Sequence, residues 1–217
     1  FRIDVLAAVK RLGVSIIRWP GGNFASGYQW KYAVGPQEER SISFDPAWEC
    51  VESNQFGTDE FIKCCRKIGA EPYICINMGN GSMRDAQDWV EYCNRSGTTY
   101  YAEMRRKNGH TEPFNVKYWG LGNEICGDWQ VGFQTAENYA RSALEYAKVM
   151  KHVDPSIQLI AVGGIHMERF NTERNWDRIV LEKIYGIIDY VGLHFYGRKY
   201  NDILDPILRY HRFMAEP

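Results

Sequence analysis

The chain has 217 residues, 45% hydrophobic and 14% aromatic, with 26 basic against 27 acidic side chains and a net charge of -1. No basic stripe or acidic tail stands out, which makes nucleic acid and anionic membranes poor partners, and no apolar run nears the ~20 residues of a membrane span. The size suits one globular domain with a sizeable core. Six cysteines, at 50, 64, 65, 75, 93 and 126, include no C-x-x-C pair, so the expectation is buried reduced thiols in a cytoplasmic protein rather than a zinc or redox motif.

The opening Phe-Arg-Ile-Asp-Val-Leu reads as a helix entered midway, not as a signal segment. Val5, Leu6, Val9 and Leu12 fall at helical spacing, and Gly13 stops that helix. Residues 14–20, Val-Ser-Ile-Ile-Arg-Trp-Pro, read as a strand closed by Pro-Gly-Gly. Residues 24–56 form a long loop whose length points to function, and Tyr28, Trp30, Tyr32 and Trp48 argue against disorder there. Thr58 is expected to cap a helix reaching about Ile68, with Asp59 and Glu60 in its first turn. A strand at 72–77, two short helices near 84–94 and 98–107, and a strand at 116–122 follow. A long helix from about Thr135 to Val153 carries apolar residues at 139, 143, 147 and 150. A strand at 157–162 ends in Gly-Gly, a helix at 174–185 leads to a strand at 187–194, and a helical stretch covers 201–214.

Alternating helices and apolar strands call for a parallel sheet with helices outside it. No GxGxxG or GxxxxGKS/T follows a strand, so nucleotide-binding versions of this pattern lose support. A complete (β/α)8 barrel takes about 250 residues. The expected class is therefore α/β: a (β/α)8 TIM barrel of which about five of eight strand–helix units are present. A five-stranded open sheet is the alternative.

In a barrel the strand C-termini carry the chemistry. Residues 117–124, Lys-Tyr-Trp-Gly-Leu-Gly-Asn-Glu, read as a buried strand ending on Asn123 and Glu124. A carboxylate beside an amide suits a glycosidase acid/base with its sugar-hydroxyl partner; a solvated Glu124 after a strand end is the plain alternative. Polar residues recur at each strand end: Arg18 and Asn23, then Asn77 and Asn80, then Asn123 and Glu124, then His166, then His194 and Tyr196. Glu124 suits proton donation if burial and a second carboxylate raise its pKa. Arg18 offers a rigid donor fork for a carboxylate or sugar oxygens. His194 and Tyr196 suit holding a nucleophile. Trp30, Trp48 and Trp129 offer faces for sugar rings, although Trp30 and Trp48 also fit as loop anchors. Asn80, between glycines, fits a residue in a left-handed backbone.

Several of these stretches resemble glycoside hydrolase family 51, the α-L-arabinofuranosidases. They are Arg18-Trp-Pro-Gly-Gly-Asn-Phe24, Gly27-Tyr-Gln-Trp30, Gly35-Pro36, Asn54-Gln-Phe-Gly57, Trp119-Gly-Leu-Gly-Asn-Glu124, Trp129-Gln-Val-Gly132 and Leu193-His-Phe-Tyr196. The resemblance runs from about residue 4 to 200. It implies a (β/α)8 barrel with an appended β-sandwich, and retaining release of terminal α-L-arabinofuranosyl groups from arabinan, arabinoxylan or their oligosaccharides. It implies Glu124 as acid/base, Asn123 as sugar-hydroxyl partner, and Arg18, Asn23, His194 and Tyr196 as the arabinose-binding and nucleophile-supporting set. It implies no cofactor or metal, a cytoplasmic location and a homo-oligomer.

The family's nucleophile is a Glu in an Asp-Glu-Trp-like stretch at the seventh strand, which these 217 residues lack. A retaining pair needs two carboxyl groups about 5–5.5 Å apart. Asp128, Asp202 and Glu216 are poor substitutes by position. The expectation is a partial catalytic barrel over residues 1–217, without the last strands and the sandwich, and inactive by itself. The competing readings are another retaining barrel glycosidase, such as an endoglucanase or β-xylosidase, and a non-catalytic carbohydrate-binding remnant.

Overall fold

The computed structural model of the chain describes residues 1–167, 170–171 and 175–196. Five strands run parallel: β1 (Ile16–Trp19), β4 (Glu71–Cys75), β5 (Tyr118–Leu121), β6 (Gln158–Met167) and β8 (Tyr190–Phe195). They neighbour one another in that order, with Arg18 beside Tyr73, Cys75 beside Gly120, Leu121 beside Ala161 and Ile165 beside His194. Helices α2 (Thr58–Ile68), α3 (Met83–Asn94), α4 (Tyr100–Lys107), α5 (Ala136–Val153) and α6 (Asn175–Ile184) fill the crossovers. Parallel neighbours need such crossovers, and their repetition builds the wall of a (β/α) barrel, of which the described residues hold five parallel strands. Among the described residues no helix is long and apolar enough to cross a membrane.

Helix α5 shows how the pattern becomes packing. Thr135 caps it by accepting the Asn138 N–H, and Tyr139, Ala143, Ala147 and Met150 are all fully buried. This is the stripe expected from its spacing. Trp89 of α3 sits at the centre of an aromatic cluster with Trp19, Tyr28, Trp30 and Trp119. Helix α1 (Ile3–Arg11) ends before Gly13, which has φ +65°, but it buries none of its residues.

Four local expectations need correction. Gly57, not Thr58, is the N-cap of α2: the Glu60 carboxylate accepts the Gly57 N–H, while the Thr58 hydroxyl is taken by the Trp89 indole N–H. The fourth parallel strand does not stop at Gly163-Gly164. It continues to Met167 across a bulge and pairs with the short antiparallel β7 (Phe170–Asn171). A Cβ at Gly163 would lie 2.7 Å from the side chains of both Leu193 and Val191, so glycine there admits a neighbouring strand rather than making a turn. The long loop is ordered by short 3-10 turns and the hairpin of β2 (Ser43–Asp45) and β3 (Cys50–Glu52). Finally, Cys50 is exposed on that hairpin, whereas Cys65, Cys75, Cys93 and Cys126 are buried as expected. The helical stretch expected at 201–214 lies outside the described residues.

Candidate active site

The end of β5 is fixed from beneath. The Tyr139 hydroxyl donates to the Leu121 carbonyl at 2.8 Å and accepts the Val162 N–H at 2.8 Å. The Cys75 thiol donates to the Gly122 carbonyl at 3.2 Å. Two buried carbonyls are thereby satisfied just where the chain leaves the sheet. Gly122 then takes φ +90° and Glu124 takes φ +45°. A left-handed glutamate is strained by about 1–3 kcal/mol, and such strain gathers at functional sites.

This turn presents Asn123 and Glu124, 1% and 6% exposed, at the C-terminal ends of the strands. Arg18, from the end of β1, donates to Asn123 Oδ1 at 2.9 Å. The Asn123 amide nitrogen is buried without a partner among the described residues. His194 Nδ1 lies 2.7 Å from Glu124 Oε1, and the Tyr196 hydroxyl donates to the same oxygen at 3.0 Å. Asn23 enters from the turn after β1, where its Oδ1 accepts the Gln130 amide at 2.6 Å. The six residues singled out from the sequence thus fall at the same end of the sheet, and Arg18–Asn123 and Glu124–His194–Tyr196 are in direct contact.

Electrostatics depart from expectation at Glu124. Burial pushes its pKa up, but the hydrogen bond and charge of His194, the Tyr196 hydroxyl and the Arg18 charge outweigh it. The carboxyl is held below its ordinary value, so the side chain is ionised in this state. The expected rise required a second carboxylate, and the groups acting on Glu124 are instead donors and cations. Among the described residues, His194 and Tyr196 make their contacts to Glu124. The Tyr196 hydroxyl is correspondingly pushed above its usual value, first by burial and then by the Glu124 charge.

Other rim residues serve the scaffold. Asn77 donates to the Tyr28 carbonyl and to Asn80 Oδ1, and its own oxygen accepts the Gly79 and Asn80 N–H groups. Asn80 is not left-handed; the chain there is constrained by close approach, since a Cβ on Gly79 would lie 2.2 Å from the Ser26 carbonyl. Trp30 is no sugar platform: it is 2% exposed and stacks on Trp89 at 5.7 Å. Trp48 and Trp129 are exposed. Asp128 is exposed in the loop that follows Glu124. The expectations for the His166 side chain, Asp202 and Glu216 lie outside the described residues. Sequence reasoning missed Cys75, Tyr139 and Gln130. Gln130 stood in a quoted stretch, but the other two read as apolar strand and helix residues.

Comparison with known proteins gives concordant matches. The family model described as "Alpha-L-arabinofuranosidase 1 domain" matches residues 8–213. "Alpha-L-arabinofuranosidase C" of Emericella nidulans is 55% identical over 163 residues, covering 75% of this chain and 32% of that protein. "Intracellular exo-alpha-(1->5)-L-arabinofuranosidase" of Acetivibrio thermocellus is 47% identical over 206 residues, covering 94% of this chain and 41% of that protein. The crystal structure of an alpha-L-arabinofuranosidase from Thermotoga maritima in complex with arabinose superposes with a TM-score of 0.91 at 50% identity, over 99% of this chain and 44% of that one. The chain thus spans between 32% and 44% of the length of these relatives.

Proposed function

The chain belongs to the α-L-arabinofuranosidase family, glycoside hydrolase family 51, and on that premise we propose that it forms part of a retaining enzyme releasing terminal α-L-arabinofuranosyl groups, with Glu124 as general acid/base. The observation that carries this reading is the buried Glu124, held by His194 and Tyr196 next to an Asn123 amide that lacks a partner among the described residues. Asn123 would donate to the hydroxyl beside the anomeric carbon. Arg18 and Asn23 would complete the sugar-binding set. The second carboxylate comes, in this reading, from chain outside the described residues. Its negative charge, arriving near Glu124, would raise the Glu124 pKa and favour the protonated acid, which would give its proton to the leaving glycosidic oxygen as that bond breaks and the second carboxylate bonds to the anomeric carbon. His194 and Tyr196 would then pass from Glu124 to the incoming nucleophile.

The same reading takes residues 1–217 as a partial catalytic barrel, inactive by itself, in a protein acting on arabinan, arabinoxylan or their oligosaccharides. It places that protein in the cytoplasm, in line with the Acetivibrio thermocellus relative, which is named an intracellular enzyme, and makes it a homo-oligomer. The test is hydrolysis of an aryl α-L-arabinofuranoside against an aryl β-D-glucoside by the gene product that contains this chain. The arabinofuranoside should be strongly preferred, the first-formed sugar should retain its anomeric configuration, and Glu124→Gln should lower the rate about 10²- to 10⁴-fold on a substrate with a poor leaving group. Preference for the glucoside, inversion, or an active Glu124→Gln variant would remove the assignment.

A second reading rests on the ionised Glu124. A carboxylate whose described partners are donors and cations also suits a rim that binds a sugar without cleaving it. Saturable arabinose binding with no hydrolysis by the gene product would favour that reading.

A further inference from the structure

Gln130 is 5% exposed, and neither composition nor spacing marks it out. Its carboxamide lies between two groups from the turn after β1, more than a hundred residues away in sequence. Ser26 Oγ donates to Gln130 Oε1 at 3.0 Å, and Gln130 Nε2 donates to Asn23 Oδ1 at 2.6 Å. Ser26 is itself 1% exposed, and its carbonyl accepts the Asn80 N–H. The chain of donors therefore has a direction: hydroxyl to carbonyl, then amide to carbonyl. An Asn carboxamide has one accepting end and one donating end. With Oδ1 turned to Gln130, the NH2 end of Asn23 is the one left for other partners. Asn123 shows the same arrangement, with its Oδ1 turned to Arg18 and its NH2 without a partner among the described residues.

From this geometry we infer that Gln130 is a positioning residue that fixes the carboxamide of Asn23 with its donating end toward the ligand. The rim then offers two amide donors, from Asn23 and Asn123, to acceptor oxygens of the bound sugar. This inference deepens the arabinofuranosidase reading and rests on it for the identity of the sugar.

Substituting Gln130→Glu reverses the direction. The ionised carboxylate of that variant can only accept, so Asn23 must donate its NH2 to it and turn Oδ1 outward. Once protonated, the same carboxyl can again donate to Asn23 Oδ1. Affinity for L-arabinose, measured by calorimetry as the ratio of variant to unmodified chain at each pH, should fall about tenfold at neutral pH and recover on acidification. Taking the ratio cancels the pH dependence that the variant and the unmodified chain share. A merely structural role would not give a loss that reverses with acid.

A ligand-independent readout accompanies it. Hydrogen exchange of the Asn23 side-chain amide, followed by NMR in the sugar-free protein, should be fast in the unmodified chain and slowed in Gln130→Glu at neutral pH. Gln130→Met, which keeps the volume without a charge, serves if Gln130→Glu does not fold. It should shift the Asn23 side-chain amide signals and weaken binding by less than Gln130→Glu. Unchanged Asn23 signals in a folded variant would overturn the inference. Absence of arabinose binding in the unmodified chain would sink the sugar assignment, while the Asn23 amide would still decide the role of Gln130.

Discussion

His194 Nδ1 and Glu124 Oε1 lie 2.7 Å apart although the residues are 70 positions apart and come from β8 and from the turn after β5, strands separated by β6. That contact, with the Tyr196 hydroxyl on the same oxygen, decides the charge state of the candidate acid/base. Burial alone would favour the neutral carboxyl. The donors reverse that preference and hold the group below its ordinary 4.5.

His194→Ala should therefore raise the Glu124 pKa, because burial remains and the strongest of the opposing interactions is gone. Carbon-13 NMR of the Glu124 carboxyl against pH reads this directly. The sign for stability follows. A carboxyl with a depressed folded pKa stabilises the fold above its unfolded value near 4.5, and that contribution is lost as pH falls through the lower folded value. Glu124→Gln should flatten this part of the acid-unfolding curve. An unchanged titration in His194→Ala would show that the contact does not govern the group.

Tyr139→Phe should destabilise the fold by about 1–3 kcal/mol, because it leaves the Leu121 carbonyl and the Val162 N–H buried without a partner. Thermal unfolding measures the loss. The damage should also spread to the end of β5, so NMR shifts at Asn123 and Glu124 should move although Tyr139 contacts neither side chain through these bonds.

The fold was legible in the sequence where periodicity is strong. Tyr139, Ala143, Ala147 and Met150 announced α5, and the strand ends announced Arg18, Asn123, Glu124, His194 and Tyr196. The partnerships were not legible. Nothing in spacing says that Cys75 holds the Gly122 carbonyl or that Gln130 meets Asn23, because both contacts join distant segments. The strand through Gly163-Gly164 was cut short because glycine pairs usually punctuate a chain, and here they make room for Val191 and Leu193. The lowered Glu124 pKa was not legible because its donors arrive from β8 and just beyond it, while the sequence argument made a raised value conditional on a second carboxylate.

Arg40 ties down the loop that carries the exposed hairpin. Its guanidinium donates to the Gly35 and Asn54 carbonyls and to both oxygens of Glu60. The Arg40 side chain is 2% exposed. Burial raises the Glu60 pKa, but Arg40 and the Gly57 N–H outweigh it and hold it below its usual value. Arg40→Met leaves this carboxylate without its partner and should cost about 3–5 kcal/mol. Limited proteolysis should then cut within residues 36–56 at a protease level that spares the unmodified chain.

The central claim is that the strand ends around Glu124 form an arabinose site. Titration of the chain with L-arabinose, followed by proton–nitrogen NMR, tests it most directly. Saturable shifts at the side-chain amides of Asn23 and Asn123 and at the backbone of Glu124, with none from D-glucose at the same concentration, are the predicted result. No shift at these groups, or equal shifts from D-glucose, would contradict it.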